Sequence, residues 1–221
     1  MEDPSKNGPV RTPKWGRIIS VGRLAPMKEY NFYMIEVIAS LRKKGYPVTW
    51  TVFGEGEFAE AMKCRINMHG LNEVIELKGR LVYSEFSAAM QQAYVFVGMG
   101  TSIIEAALCG VPGVVALAYE TRGVTYGPLY SFRFGNSGER MDATPCTTVE
   151  SEIERVLRLK EREYEEEVQR TRDYARGYEM DGSMDRFLEI AARASVPKVS
   201  YMLFSLYYLL NLIEGLRKDM K

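Results

Sequence analysis

Histidine is almost missing from this chain, with His69 alone among 221 residues, and cysteine is sparse and scattered at Cys64, Cys109 and Cys146. With no C-x-x-C pair and no His–Cys cluster, neither a disulfide framework nor a zinc site of ordinary spacing is indicated. No D-x-D occurs, so an acidic clamp for a divalent cation on a diphosphate lacks its residues. An excess of either charge is missing too. The 29 basic and 29 acidic residues cancel, so no global field draws in nucleic acid and an anion must be met by a local cluster. Long apolar runs are lacking: residues 201–213, interrupted only by Ser205 and Asn211, fall short of the about 20 residues that span a bilayer. The N-terminus is polar, broken by Pro4, Pro9 and Pro13, and has no apolar signal-peptide core. Residues 1–16 read as a linker or arm from a preceding domain, and the composition suits a reducing cytoplasm.

What is present is alternation. Short apolar runs at 17–21, 48–53, 74–77, 94–97 and 113–117 are bounded by Gly, Pro or charge, as strands are. Between them Met34, Ile35, Ile38 and Leu41 recur at helical spacing, as do Phe58, Met62 and Ile66, then Phe86, Ala89 and Met90. This pattern predicts an α/β fold, a Rossmann-like doubly wound parallel sheet covered on both faces. In the usual order the first and fourth strands are neighbours where the winding reverses, and ligands sit above their carboxyl ends. A sixth strand is expected at 130–134 within a Gly- and aromatic-rich loop. Residues 149–176 read as one charged, solvated helix. The boundaries expected are a core domain at 17–193 and an apolar helical tail at 194–221, whose 201–213 segment and flanking cations suit a membrane surface or an oligomer contact.

Two motifs follow those first and fourth strands. After Val21 come Gly22 and Arg23, then Lys28 at a helix start, an arrangement suited to an anion. After Val97 come Gly98, Met99, Gly100, Thr101 and Ser102, a Gly-rich turn opening a helix whose first N–H groups can face a phosphate. Glu105, one turn in, either accepts from ribose hydroxyls or caps its own helix. Together these describe a pocket for a sugar nucleotide. Gly54-Glu55-Gly56-Glu57-Phe58-Ala59 fits a loose dinucleotide fingerprint, but its acids would repel a pyrophosphate and it follows the second strand rather than the first.

Gly22, Arg23 and Lys28, with Glu105, Ala106, Gly110 and Pro112, resemble the donor-binding half of GT-B glycosyltransferases of group 1, also called family 4, over residues 17–160. The resemblance implies transfer of a sugar from a nucleoside diphosphate, with retention of configuration and without a metal or other cofactor. It implies Arg23, Lys28 and Glu105 as catalytic residues. Gly22, Gly54, Gly98, Gly100, Thr101 and Ser102 would line the donor site, with Arg80 and Leu81 in the loop that approaches the base. The family's second Glu, eight positions before the helix Glu, is Val97 here. An acceptor-binding domain or partner chain would have to complete the enzyme. The alternatives are a non-catalytic nucleotide-sugar-binding or scaffold subunit and a sugar-nucleotide epimerase of the same fold.

Overall fold

Strand β1 (Arg17–Val21) sends Ile18 to one face of a sheet and Ile19 to the other, both fully buried. That double burial requires a layer on each side, and the chain supplies both. The computed structural model describes residues 11–132, 135–141, 146–178 and 180–193. After β1 come α1 (Tyr30–Lys43), β2 (Thr49–Phe53), α2 (Ala59–Met68), β3 (Ile75–Leu77), α3 (Phe86–Met90), β4 (Val95–Gly98), α4 (Thr101–Leu108) and β5 (Gly113–Val115). The strands are parallel in the order β3-β2-β1-β4-β5. The winding therefore reverses between β1 and β4, where the sequence places its two motifs.

One core layer joins Met34, Ile38 and Leu41 of α1 to Ile18, Trp50 and Val52. The other joins Phe86, Met90, Ile103 and Ala107 to Ile19 and Phe96. Burying a side chain of this size contributes about 1.5–3 kcal/mol. The polar end of Trp50 is satisfied as well, its Nε1 donating to Ser20 Oγ at 3.0 Å.

Beyond β5 the expectations need correction. Residues 130–132 form no strand: Leu129–Ser131 is a 3-10 turn, and residues 133–134 lie outside those described. A small antiparallel pair forms instead between β6 (Val124–Thr125) and β7 (Thr147–Thr148). The single charged helix is two, α5 (Val149–Leu157) and α6 (Glu161–Arg176), because Glu163 accepts from Lys160 N at 2.8 Å and restarts the helix. Nor is α6 merely solvated. It buries Tyr164, Glu167, Thr171 and Ala175; Tyr164 stacks on Tyr94 at 4.2 Å, and its hydroxyl donates to Tyr94 O. Burial pushes the Tyr164 phenol up to about 12. Glu167 is held by Arg155 and Tyr130.

The arm, where described, is docked: the Arg11 guanidinium donates to the carbonyls of Met90, Ala93 and Gly110. The chain divides into two compact units, residues 1–179 and 180–221. This division comes ahead of the 193/194 boundary and assigns α7 (Met180–Arg193) to the second unit. On α7, Phe187, Leu188 and Ile190 are exposed. The tail at 194–221, with its 201–213 segment, lies outside the described residues. No described helix is long and apolar enough to cross a membrane.

Candidate functional site

At the carboxyl ends of β1 and β2 the two backbones run on side by side in contact. Gly22 N donates to Phe53 O at 2.9 Å, and Leu24 N donates to Glu55 O at the same distance. A Cβ on Gly54 would fall 2.0 Å from Gly22 O, and one on Gly56 would fall 2.3 Å from Leu24 O. The Gly54-Glu55-Gly56 run is therefore glycine-rich because two main chains meet there, a reason independent of any dinucleotide. Gly22 itself has φ +152°, and a Cβ there would fall 1.8 Å from Lys28 Nζ.

Lys28 reaches that position because the chain turns back through a 3-10 turn (Pro26–Lys28) before α1, and buried Asn31 donates to Lys28 O at 3.0 Å. Burial, then repulsion from Arg23, holds the Lys28 ammonium below its ordinary value. Arg23 itself is exposed. Among the described residues neither cation has an ion-pair partner. Two coupled cations on a main-chain floor favour an anion, whose charge would reverse both unfavourable effects.

From this point a cleft runs across the sheet. A cavity of about 510 Å³ is lined by Gly22, Arg23, Gly54, Glu55, Arg80 and Leu81 among others. It shares Val21, Arg80 and Leu81 with a second, of about 610 Å³, that continues to Tyr83, Phe86, Thr101, Ser102 and Glu105. The Arg80 backbone N–H donates to Glu55 Oε1 at 3.3 Å, so the loop that was expected to offer backbone groups is tied to the loop after β2. Desolvation raises the Glu105 carboxyl above its ordinary value, and among the described residues no side chain donates to it.

The N-terminus of α4 is less open than its sequence suggests. Gly100 N donates to Asn136 O, so the chain's own loop takes one of the donors expected to face a phosphate. Gly98 is a buried residue of β4 whose carbonyl accepts from Ala116 N at 2.8 Å, and it does not line the cleft. The Ser102 hydroxyl is shared between Val21 O at 3.1 Å and Met99 O at 3.2 Å, so it fastens α4 to β1. Thr101 remains exposed at the cleft. The structure thus brings together Gly22, Arg23, Gly54, Arg80 and Leu81 in the first cavity, with the Lys28 ammonium beside Gly22, and Arg80, Leu81, Thr101, Ser102 and Glu105 in the second. Glu55 and Gly56, met in the sequence within the Gly54–Ala59 run, and Phe86, met there as part of a helix face, line the cleft as well, and so does Tyr83, which nothing in the sequence singled out. Among the described residues no His, Cys, Asp and Glu cluster could hold a metal ion.

The profile of the family described as Glycosyl transferases group 1 matches residues 5–125, more than half of the chain and the whole of this cleft. The chain belongs to the group 1 glycosyltransferases. No curated protein sequence matches it. Solved structures do. A complex of S. aureus TarM with fondaparinux, alpha-GlcNAc-glycerol and UDP is similar over 83% of this chain and 36% of that one, at 19% identity and a TM-score of 0.61. The catalytic domain of cholesterol-alpha-glucosyltransferase from Helicobacter pylori is similar over 75% of this chain and 100% of that one, at 18% identity and a TM-score of 0.56. The C-terminal domain of the group 1 family protein LpcC from Francisella tularensis is similar over 76% and 88%, at 16% identity and a TM-score of 0.53. At these identities the likeness is one of fold, the Rossmann-like α/β half of a GT-B glycosyltransferase. This group 1 chain spans 36% of the length of TarM.

Proposed function

We propose that this group 1 glycosyltransferase domain binds a nucleoside diphosphate sugar and presents it for transfer to an acceptor hydroxyl. The observation that carries the reading is the half-buried Lys28 ammonium, set against Gly22 beside a second cation and without an acidic partner. Arg23 and Lys28 would hold the diphosphate. As the glycosidic C–O bond breaks, its electron pair passes to the diphosphate oxygen, and fixed cations stabilise the charge that develops there. Glu105, short of donors, would accept from the ribose hydroxyls, and the Arg80–Tyr83 loop would face the base. This scheme needs no metal and no other cofactor. UDP is the first donor nucleotide to try, since the TarM complex holds it and so does the pneumococcal O-GlcNAc transferase GtfA.

Acceptor groups would come from a further domain or a partner chain; one solved structure of like fold is itself a complex, GtfA/B. Retention of configuration and a cytoplasmic site of action, with attachment to a membrane surface or an oligomer through 201–213, belong to the same proposal. A second reading, a donor-binding subunit that does not catalyse, is favoured by Val97 in place of the family's Glu and by the Asn136 carbonyl on the α4 terminus.

Calorimetry with UDP, GDP, ADP and CDP in the presence of a chelator tests the binding. At about 1.5–3 kcal/mol for a charge-assisted hydrogen bond, Arg23→Ala should weaken diphosphate binding by roughly 10- to 150-fold and leave the nucleoside almost unaffected. Loss of binding in chelator, or equal loss of nucleoside and diphosphate, overturns the assignment. Hydrolysis or transfer of the sugar by the isolated chain would exclude the non-catalytic reading.

A further inference from the structure

Tyr119 combines two anomalies. Among the described residues it is the non-glycine residue with a left-handed backbone, at φ +55°, an outlier for a bulky side chain. Its ring is also 69% exposed. Neither backbone preference nor burial accounts for an aromatic residue there, and strain of this kind persists where the surroundings over-determine it, commonly at ligand sites.

The surroundings do over-determine it. Ala118 N donates to Gly138 O at 2.8 Å and Tyr119 N donates to Met27 O at 3.2 Å. On the following residue, the buried Glu120 carboxylate accepts from Arg122 N at 2.6 Å and pairs with the guanidinium groups of Arg122 and Arg140. The ring therefore stands on a fixed stalk. That stalk leaves the carboxyl end of β5 and reaches back past β4 to the residue before Lys28. The cleft described above runs from Glu105 and Arg80 to Gly22 and Arg23, with the Lys28 ammonium beside Gly22. In a nucleoside diphosphate sugar the sugar lies beyond the diphosphate, away from the nucleoside, and the segment hydrogen-bonded next to Lys28, through Met27 O, is that of Tyr119.

We infer that Tyr119 is the sugar-specificity residue of the donor site, its exposed ring taking the C–H face of the transferred pyranose. A face of equatorial substituents leaves axial C–H groups free to lie on an aromatic ring, whereas an axial hydroxyl on that face would break the contact. The pinned backbone lowers the entropy lost on stacking. The inference rests on the donor-binding proposal above.

The test is calorimetry on the whole chain with a base-matched pair, UDP and UDP-glucose, or whichever of GDP with GDP-mannose and ADP with ADP-glucose the wild type binds. Tyr119→Gly should weaken the sugar nucleotide about five- to tenfold while Tyr119→Phe and the diphosphate stay within about twofold. Because glycine accepts a positive φ, the melting temperature of Tyr119→Gly should not fall. Unchanged affinity for the sugar nucleotide, or equal loss of both ligands, overturns the inference and leaves the donor reading standing. Failure of the wild type to bind any of these diphosphates overturns the donor reading, and this inference with it.

Discussion

The ammonium of Lys28 lies against the backbone of Gly22, where a Cβ would come within 1.8 Å of Nζ. The cation is thus placed by the absence of a side chain. Gly22→Ala should expel Lys28 from this position and weaken diphosphate binding about as much as Lys28→Ala does, within the roughly 1.5–3 kcal/mol of a charge-assisted hydrogen bond. Diphosphate titrations of both variants check the equivalence. A Gly22→Ala protein that folds and binds like wild type would show that Lys28 holds the anion from elsewhere.

Because burial and Arg23 depress Lys28, its proton is lost below the ordinary value of 10.5. The protonated form is the one that attracts a diphosphate. Affinity should therefore be highest on the acid side of the depressed value, fall as pH rises through it, and be accompanied by proton uptake in that window. Lys28→Arg, which keeps its charge throughout, should flatten the profile. A wild-type profile as flat as that of the Arg variant would remove Lys28 from the phosphate site.

Glu105 runs the other way. Its raised carboxyl means that the folded state binds more protons than the unfolded state between the ordinary 4.5 and the folded value, so the group costs stability above that window. Glu105→Gln should raise the melting temperature at neutral pH, and the gain should vanish as pH falls through 4.5. The same variant should blunt discrimination between ribo- and 2′- or 3′-deoxynucleoside diphosphates. Thermal melts at several pH values and paired titrations separate the two effects.

Among the described residues Thr171 Oγ1, a buried hydroxyl, has no hydrogen-bond partner. A donor left unsatisfied costs about 1–3 kcal/mol, so Thr171→Val, which keeps the shape and removes the hydroxyl, should stabilise the protein by about 1 kcal/mol with no change in ligand affinity. Chemical denaturation measures it, and destabilisation would mean that the hydroxyl has a partner.

The sheet was legible because Ile18-Ile19 and Val95-Phe96-Val97 are apolar runs stopped by Gly, and because a parallel strand buried on both faces has no other pattern. Lys28 was legible through its spacing from Arg23. What escaped sequence reading depends on pairs far apart in the chain. Nothing near Gly100 announces that the carbonyl of Asn136 will take its N–H, and nothing in Ser102 announces that its hydroxyl belongs to Val21. The break after Leu157 carries neither Gly nor Pro, the two signals by which helix ends are usually recognised. Tyr119 has an ordinary sequence context, and its φ exists only once the residues on either side are tied down.

The close contact of the β1 and β2 loops puts main-chain atoms where a binding site would ordinarily have side chains. Substitution can recolour side chains but cannot easily alter peptide groups that touch, so the Gly22–Gly54 floor of the cleft is its part least open to change. Variation is left to the side chains around it, those of the Arg80–Tyr83 loop among them. A domain built this way can change the side chains that a ligand meets while keeping one main-chain anchorage.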